Sequence, residues 1–119
     1  MLARSSKFSR KVLKLLEEVF PYFTITEEYY INYNGKRLFF DFFVKEIKLL
    51  VEVQGEQHLQ FNRFMHETKE GFMRQKMLDR LKEEWADLND YLLIHFYPND
   101  SIDRFTLLEK IEDVQNKRF

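Results

Sequence analysis

The sequence predicts an α/β fold, a mixed four-stranded sheet flanked by helices in the order α-β-β-β-α-β-α. Three observations predict it. Apolar residues recur at helical spacing near the start, after the middle and at the end of the chain. Three segments rich in Val, Ile, Phe, Tyr and Thr follow one another between the first two of these. A fourth apolar segment, residues 91–97, stands alone between the last two.

Ser5 or Ser6 is placed to cap a helix running to about Phe20, with Val12, Leu15, Leu16 and Val19 as its apolar stripe and Pro21 just beyond its end. Residues 24–32 alternate and read as a strand. Asn34-Gly35 is a tight-turn signal into a second strand over 37–44. The polar segment Lys45-Glu46-Ile47-Lys48 makes a hairpin tip, and a third strand over about 49–54 ends at Gly55. After an irregular polar stretch around 56–70, a helix is expected from about Glu70 to Leu88, with Met73, Met77, Leu81, Trp85 and Leu88 on its core face. Residues 91–97 form a near-continuous apolar strand, the pattern of an interior position in a sheet, and Pro98 stops it. Asp100 or Ser101 then caps a final helix carrying Ile102, Phe105, Leu108, Ile111 and Val114.

At 119 residues the chain is expected to be one domain, residues 1–119, with a real core. Hydrophobic content of 45% and 17% aromatics argue against disorder. The absence of cysteine excludes disulfides and thiolate metal sites and is compatible with a reducing cytosol. No apolar run reaches the length of a membrane span, and no signal peptide is expected. The formal net charge of −1 does not announce a nucleic-acid binder. Charge distribution says more: Arg4, Lys7, Arg10, Lys11 and Lys14 precede the first acid, Glu17. A near-neutral protein can carry a basic face, although such runs also serve simply to solvate a helix.

The chemistry concentrates between Asp41 and His58. Charged residues are rarely buried unless paired or bound to a metal, yet Asp41 interrupts Phe39-Phe40 and Phe42-Phe43-Val44, and Glu52 stands between Val51 and Val53. If Val44 pairs with Leu49, Asp41 falls opposite Glu52. Opposed residues have Cβ atoms roughly 4.5–5.5 Å apart. Two carboxylates that close repel, and an oxygen-ligated divalent ion, magnesium or manganese, relieves the repulsion. A slip of one residue would separate them onto opposite faces. The alternative is ordinary ion pairing, Asp41 with Arg37 or Lys45 and Glu52 with Lys48 or a cross-strand Arg.

These residues carry a resemblance. A first helix, an antiparallel hairpin bearing Asp41 and then Glu52-Val53-Gln54, a further helix and a further strand together resemble the restriction-endonuclease-like PD-(D/E)xK nuclease superfamily. Gln54 stands where that family usually has Lys. The longer run Glu52-Val53-Gln54-Gly55-Glu56-Gln57-His58, followed by Phe72, Gln75, Asp79 and Lys82 and the strand at Tyr91-Leu92-Leu93-Ile94, resembles the branch of very-short-patch repair endonucleases and phage homing endonucleases with the EDxHD signature. The likeness runs over about residues 5–97. The family's first-helix Glu has no match at the expected place near Ser9; Glu17 and Glu18 lie about two turns later.

The resemblance implies a metal-dependent DNA endonuclease domain with Mg2+ or Mn2+ as cofactor. Asp41 would be the central metal ligand, joined by Glu52 and the carbonyl of Val53. Gln54 would stand near the attacking water, His58 would be the general base, and Asp79 would orient it. Lys7, Arg10, Lys11 and Lys82 are the expected DNA contacts, with Lys82 also a candidate for the missing lysine's charge. Double-stranded DNA is the expected partner, with a homodimer or an attached DNA-binding domain to supply contacts that one small domain lacks. The alternative function is an inactive nucleic-acid-binding or structural module on the same fold. His66 and His95 read as structural, and Met73 and Met77 as core. Tyr29, Tyr30 and Tyr33 could stack on bases, though strand aromatics usually serve the sheet.

Overall fold

A computed structural model describes residues 6–55 and 69–118. The first helix, α1 (Lys7–Val19), begins where the Ser6 hydroxyl accepts a hydrogen bond from the Ser9 N–H at 3.0 Å, which satisfies one of the orphan donors of a helix start. Its stripe of Val12, Leu15 and Leu16 is buried as expected.

Strands β1 (Ile25–Tyr33) and β2 (Lys36–Val44) form an antiparallel hairpin. Asn34 and Gly35 both take positive φ, 51° and 73°, the backbone that matches the right-handed twist of a two-residue hairpin. A single 3-10 turn, Lys45–Ile47, with Lys48 left-handed at φ 50°, leads into β3 (Leu49–Val53). The register is the expected one, with Val44 against Leu49, Phe43 against Leu50 and Phe42 against Val51. Helix α2 (Lys69–Leu88) crosses over to β4 (Leu92–Phe96), which lies parallel to β3, and α3 (Arg104–Asn116) closes the chain.

The sheet order is β1-β2-β3-β4. Among the described strands β4 is therefore at the edge, not the interior strand its hydrophobicity suggests. The pattern has a different cause: Ile94 and Phe96 join a core under α1 and α3, while Leu93 joins another under α2. A strand covered on both faces is apolar throughout whether or not both its edges are paired.

The two outer helices also present faces rotated from those expected. On α2 the contacts with the sheet come from Leu78, Leu81, Trp85 and Ala86, whereas Met73 and Leu88, expected in the core, are 58% and 69% exposed. On α3 Leu107 is fully buried, and Phe105 and Leu108, expected there, are exposed. The cap of α3 is Asp103, which accepts from the Thr106 N–H at 2.8 Å. Asp100 instead accepts from the Tyr97 N–H at 2.7 Å.

Candidate functional site

Strand β2 changes face at Asp41. Leu38 and Phe40 pack under α2, but Phe42 and Val44 pack under α1 and α3, so the strict alternation of a flat strand breaks between them. On the neighbouring strand, Glu28, level with Asp41 in the β1–β2 register, takes a φ of +54°, which is uncommon for a residue with a Cβ. One step beyond the Phe42–Val51 pair, the Asp41 carboxylate accepts a hydrogen bond from the Val53 N–H at 2.7 Å. A side-chain oxygen thus serves an amide that a ladder carbonyl would otherwise serve.

Glu52 lies on the α2 side of the sheet and is 7% exposed. Lys82, from α2, pairs with its Oε2, and the same ammonium stands 5.6 Å from the Phe40 ring centre. The partner is not Lys48, which sits over the Tyr91 ring, and Arg37, the alternative partner for Asp41, sits over Tyr30. The Asp41 carboxylate is close enough to act on Glu52 as well. Burial pushes the Glu52 carboxyl up from an ordinary value of 4.5 to about 8; the Asp41 charge adds to this, and Lys82 opposes it without prevailing.

The next polar residue on that face is Gln54, 6% exposed. Its side-chain nitrogen lies 2.8 Å from Nδ1 of His95 on β4. The other ring nitrogen of His95 lies 3.0 Å from the Glu83 carboxylate on α2. That hydrogen bond is the main cause that holds the Glu83 carboxyl below its usual value, against partial burial. Among the described residues the Gln54 carbonyl oxygen is buried without a hydrogen-bond partner, an arrangement that costs about 1–3 kcal/mol when nothing satisfies the group. Gln54, His95 and Glu83 line a cleft of about 380 Å³ together with Lys76, Asp79 and Arg80.

The structure brings Asp41, Glu52, Val53, Gln54 and Lys82 into one neighbourhood, and sets Asp79 on the cleft beside Gln54. His58 lies outside the described residues. Lys7, Arg10 and Lys11 line a shallow depression of their own with Lys14, on the helix packed against the sheet face opposite Glu52. Of the tyrosines, Tyr29 stacks on Phe43 with ring centres 4.3 Å apart, and Tyr33 donates to Glu84 at 3.1 Å. Tyr30 is 49% exposed beside Phe39. His95 and Glu83 are the residues sequence reasoning missed. The signal was present for His95: it interrupts the apolar run 91–97 just as Asp41 interrupts its own.

Among the described residues, no group of three or more His, Cys, Asp and Glu side chains gathers as a metal cluster. The Asp41–Glu52 pair offers an all-oxygen donor set. Such a set suits magnesium or manganese, which take one or two carboxylates and fill the remaining positions with water or phosphate oxygens. No described helix is long and apolar enough to cross a membrane.

The chain is similar to Uncharacterized protein 033L of Invertebrate iridescent virus 3, 42% identical over 61 residues, a stretch that is 51% of this chain and 31% of that protein. The match thus spans about a third of the relative's length. No protein-family model and no solved structure matches the chain.

Proposed function

We propose that the chain is a divalent-metal-dependent DNA endonuclease domain on a restriction-endonuclease-like core, with Asp41 and Glu52 as its metal-binding pair. The observation that carries this reading is that two acids lie side by side at the end of β3: Glu52, nearly buried, and Asp41, whose carboxylate is held on the Val53 N–H. The donor set fits a small hard cation, with the Val53 carbonyl as the expected third oxygen. When bound, such an ion supplies Lewis acidity at a phosphodiester.

The chain's own residues have distinct tasks in this reading. Asp41 is held by the Val53 N–H, which fixes its carboxylate relative to β3. Lys82 places a positive charge beside Glu52, where the commoner family pattern has a strand lysine two residues on. Gln54, uncharged, orients rather than activates. His58 takes the proton of the nucleophile and Asp79 orients its ring. Lys7, Arg10 and Lys11 contact DNA phosphates, either of the cleaved duplex or at a second place along it.

One observation favours a second reading. Glu52 already has a cationic partner in Lys82, as a nuclease-like fold without chemistry would need to keep a buried acid neutralised. Nicking of supercoiled plasmid separates the two. The endonuclease reading expects relaxation with Mg2+ or Mn2+ that stops on chelation and falls more than about 100-fold in Asp41→Ala, beyond what a residue outside the ligand shell usually costs. His58→Ala should lose activity as well. Nicking that survives both substitutions would overturn the site, and no nicking with either metal would favour the inactive module.

A further inference from the structure

We propose that Glu83 and His95 form a positioning relay that fixes the Gln54 amide with its carbonyl oxygen, not its NH2 group, presented away from β4. This rests on the endonuclease reading for its consequence and on the geometry alone for its existence.

An ionised carboxylate only accepts, so the His95 Nε2 that faces Glu83 at 3.0 Å carries the ring hydrogen. In a neutral imidazole Nδ1 is then an acceptor, and the Gln54 Nε2 at 2.8 Å donates to it. Glu83 thus selects the tautomer, and the tautomer selects the amide orientation. The register of the sheet places the relay: Glu52 pairs with His95 across the β3–β4 ladder, and Gln54 follows two residues later on the same face. The Gln54 N–H donates to the Phe96 carbonyl at 2.8 Å, which anchors the backbone from which the side chain departs.

The consequence concerns what Gln54 can recognise. Its carbonyl oxygen is buried and has no hydrogen-bond partner among the described residues; an oxygen so placed is matched to a donor such as a water or hydroxyl and not to an acceptor-only phosphate oxygen. A lysine in this place donates to both. Gln54 is therefore specialised for the proton-bearing reactant, and His95 is a positioning residue acting through it.

Two variants separate this role from a structural one. In His95→Asn the side-chain oxygen can take the place of Nδ1 and accept from Gln54. In His95→Gln the longer amide can still meet Glu83 but offers no acceptor at that place. The relay expects His95→Asn to keep most of the nicking rate and His95→Gln to lose about 10- to 100-fold, the usual cost of removing an outer-shell partner. Equal rates in the two folded variants would overturn it. The second arm needs no activity: 15N-histidine NMR of the wild-type protein should show His95 with Nε2 protonated and Nδ1 bare, and a slowly exchanging Gln54 amide hydrogen. A protonated Nδ1 would overturn the relay even if the protein nicks DNA. The expected NMR pattern in a protein that does not nick DNA would uphold the relay and remove the endonuclease reading.

Discussion

The two faces of this sheet are built from the same strands and solve different problems. Under α1 and α3, Phe42, Val44, Leu49, Val51, Ile94 and Phe96 make a dry core with no polar side chain among its buried members. Under α2, the apolar cluster of Leu38, Phe40, Phe43, Leu50 and Leu93 gives way to Glu52, Gln54 and His95. Each charged or titratable member there is met by a group from α2, Lys82 for Glu52 and Glu83 for His95. A buried ion pair seldom outperforms apolar residues of the same size. The first face thus carries stability, and the second carries groups whose retention calls for chemistry.

The largest expected effect is on the dry face. Phe96 is fully buried, and Phe96→Ala should cost about 3–5 kcal/mol in denaturant unfolding. The polar face should behave in the opposite way. Replacing Glu52 and Lys82 together by Met should leave stability unchanged or raise it by about 1–4 kcal/mol, while plasmid nicking disappears. A loss as large as that of Phe96→Ala would erase the distinction between the faces.

The same double variant sharpens the comparison through pH. Glu52 has its folded value raised from 4.5 to about 8, so the folded state binds a proton that the unfolded state releases. Its contribution to stability is complete below the ordinary carboxylate range and is lost as pH rises towards 8, at up to roughly 1.4 kcal/mol per pH unit. Thermal unfolding between pH 5 and 9 should show this decline in the wild type and not in the double variant. Parallel pH profiles would contradict the assignment of the decline to Glu52.

How much of this was legible in the sequence differs by element. The α1 stripe, its Ser6 cap and the Val44–Leu49 register were readable because local chemistry decides them: a cap, a tight turn, a short polar tip. The faces of α2 and α3 were not, because periodicity marks an apolar stripe whether or not the sheet extends beneath it. Met73 and Leu88 lie near the two ends of α2, away from the Leu78–Ala86 contacts. Hydropathy reports covered faces and not paired edges, which is why β4 reads as an interior strand. Asp41 and Glu52 were legible as misplaced polarity and the Val44–Leu49 register was readable, but the ladder runs only to Phe42–Val51 and the face change at Asp41 was not legible. The Lys82 pairing depends on how α2 lies across the sheet, which the sequence does not encode locally. His95 carried the same mark as Asp41, but only the neighbouring strand and α2 give it partners.

The central claim is that the Asp41–Glu52 pair holds a divalent cation, and manganese binding followed by electron paramagnetic resonance tests it most directly. Wild-type protein should take up Mn2+ at a site that Mg2+ competes for, and Asp41→Asn should lose that binding while remaining folded. Equal Mn2+ uptake by the wild type and Asp41→Asn would contradict it.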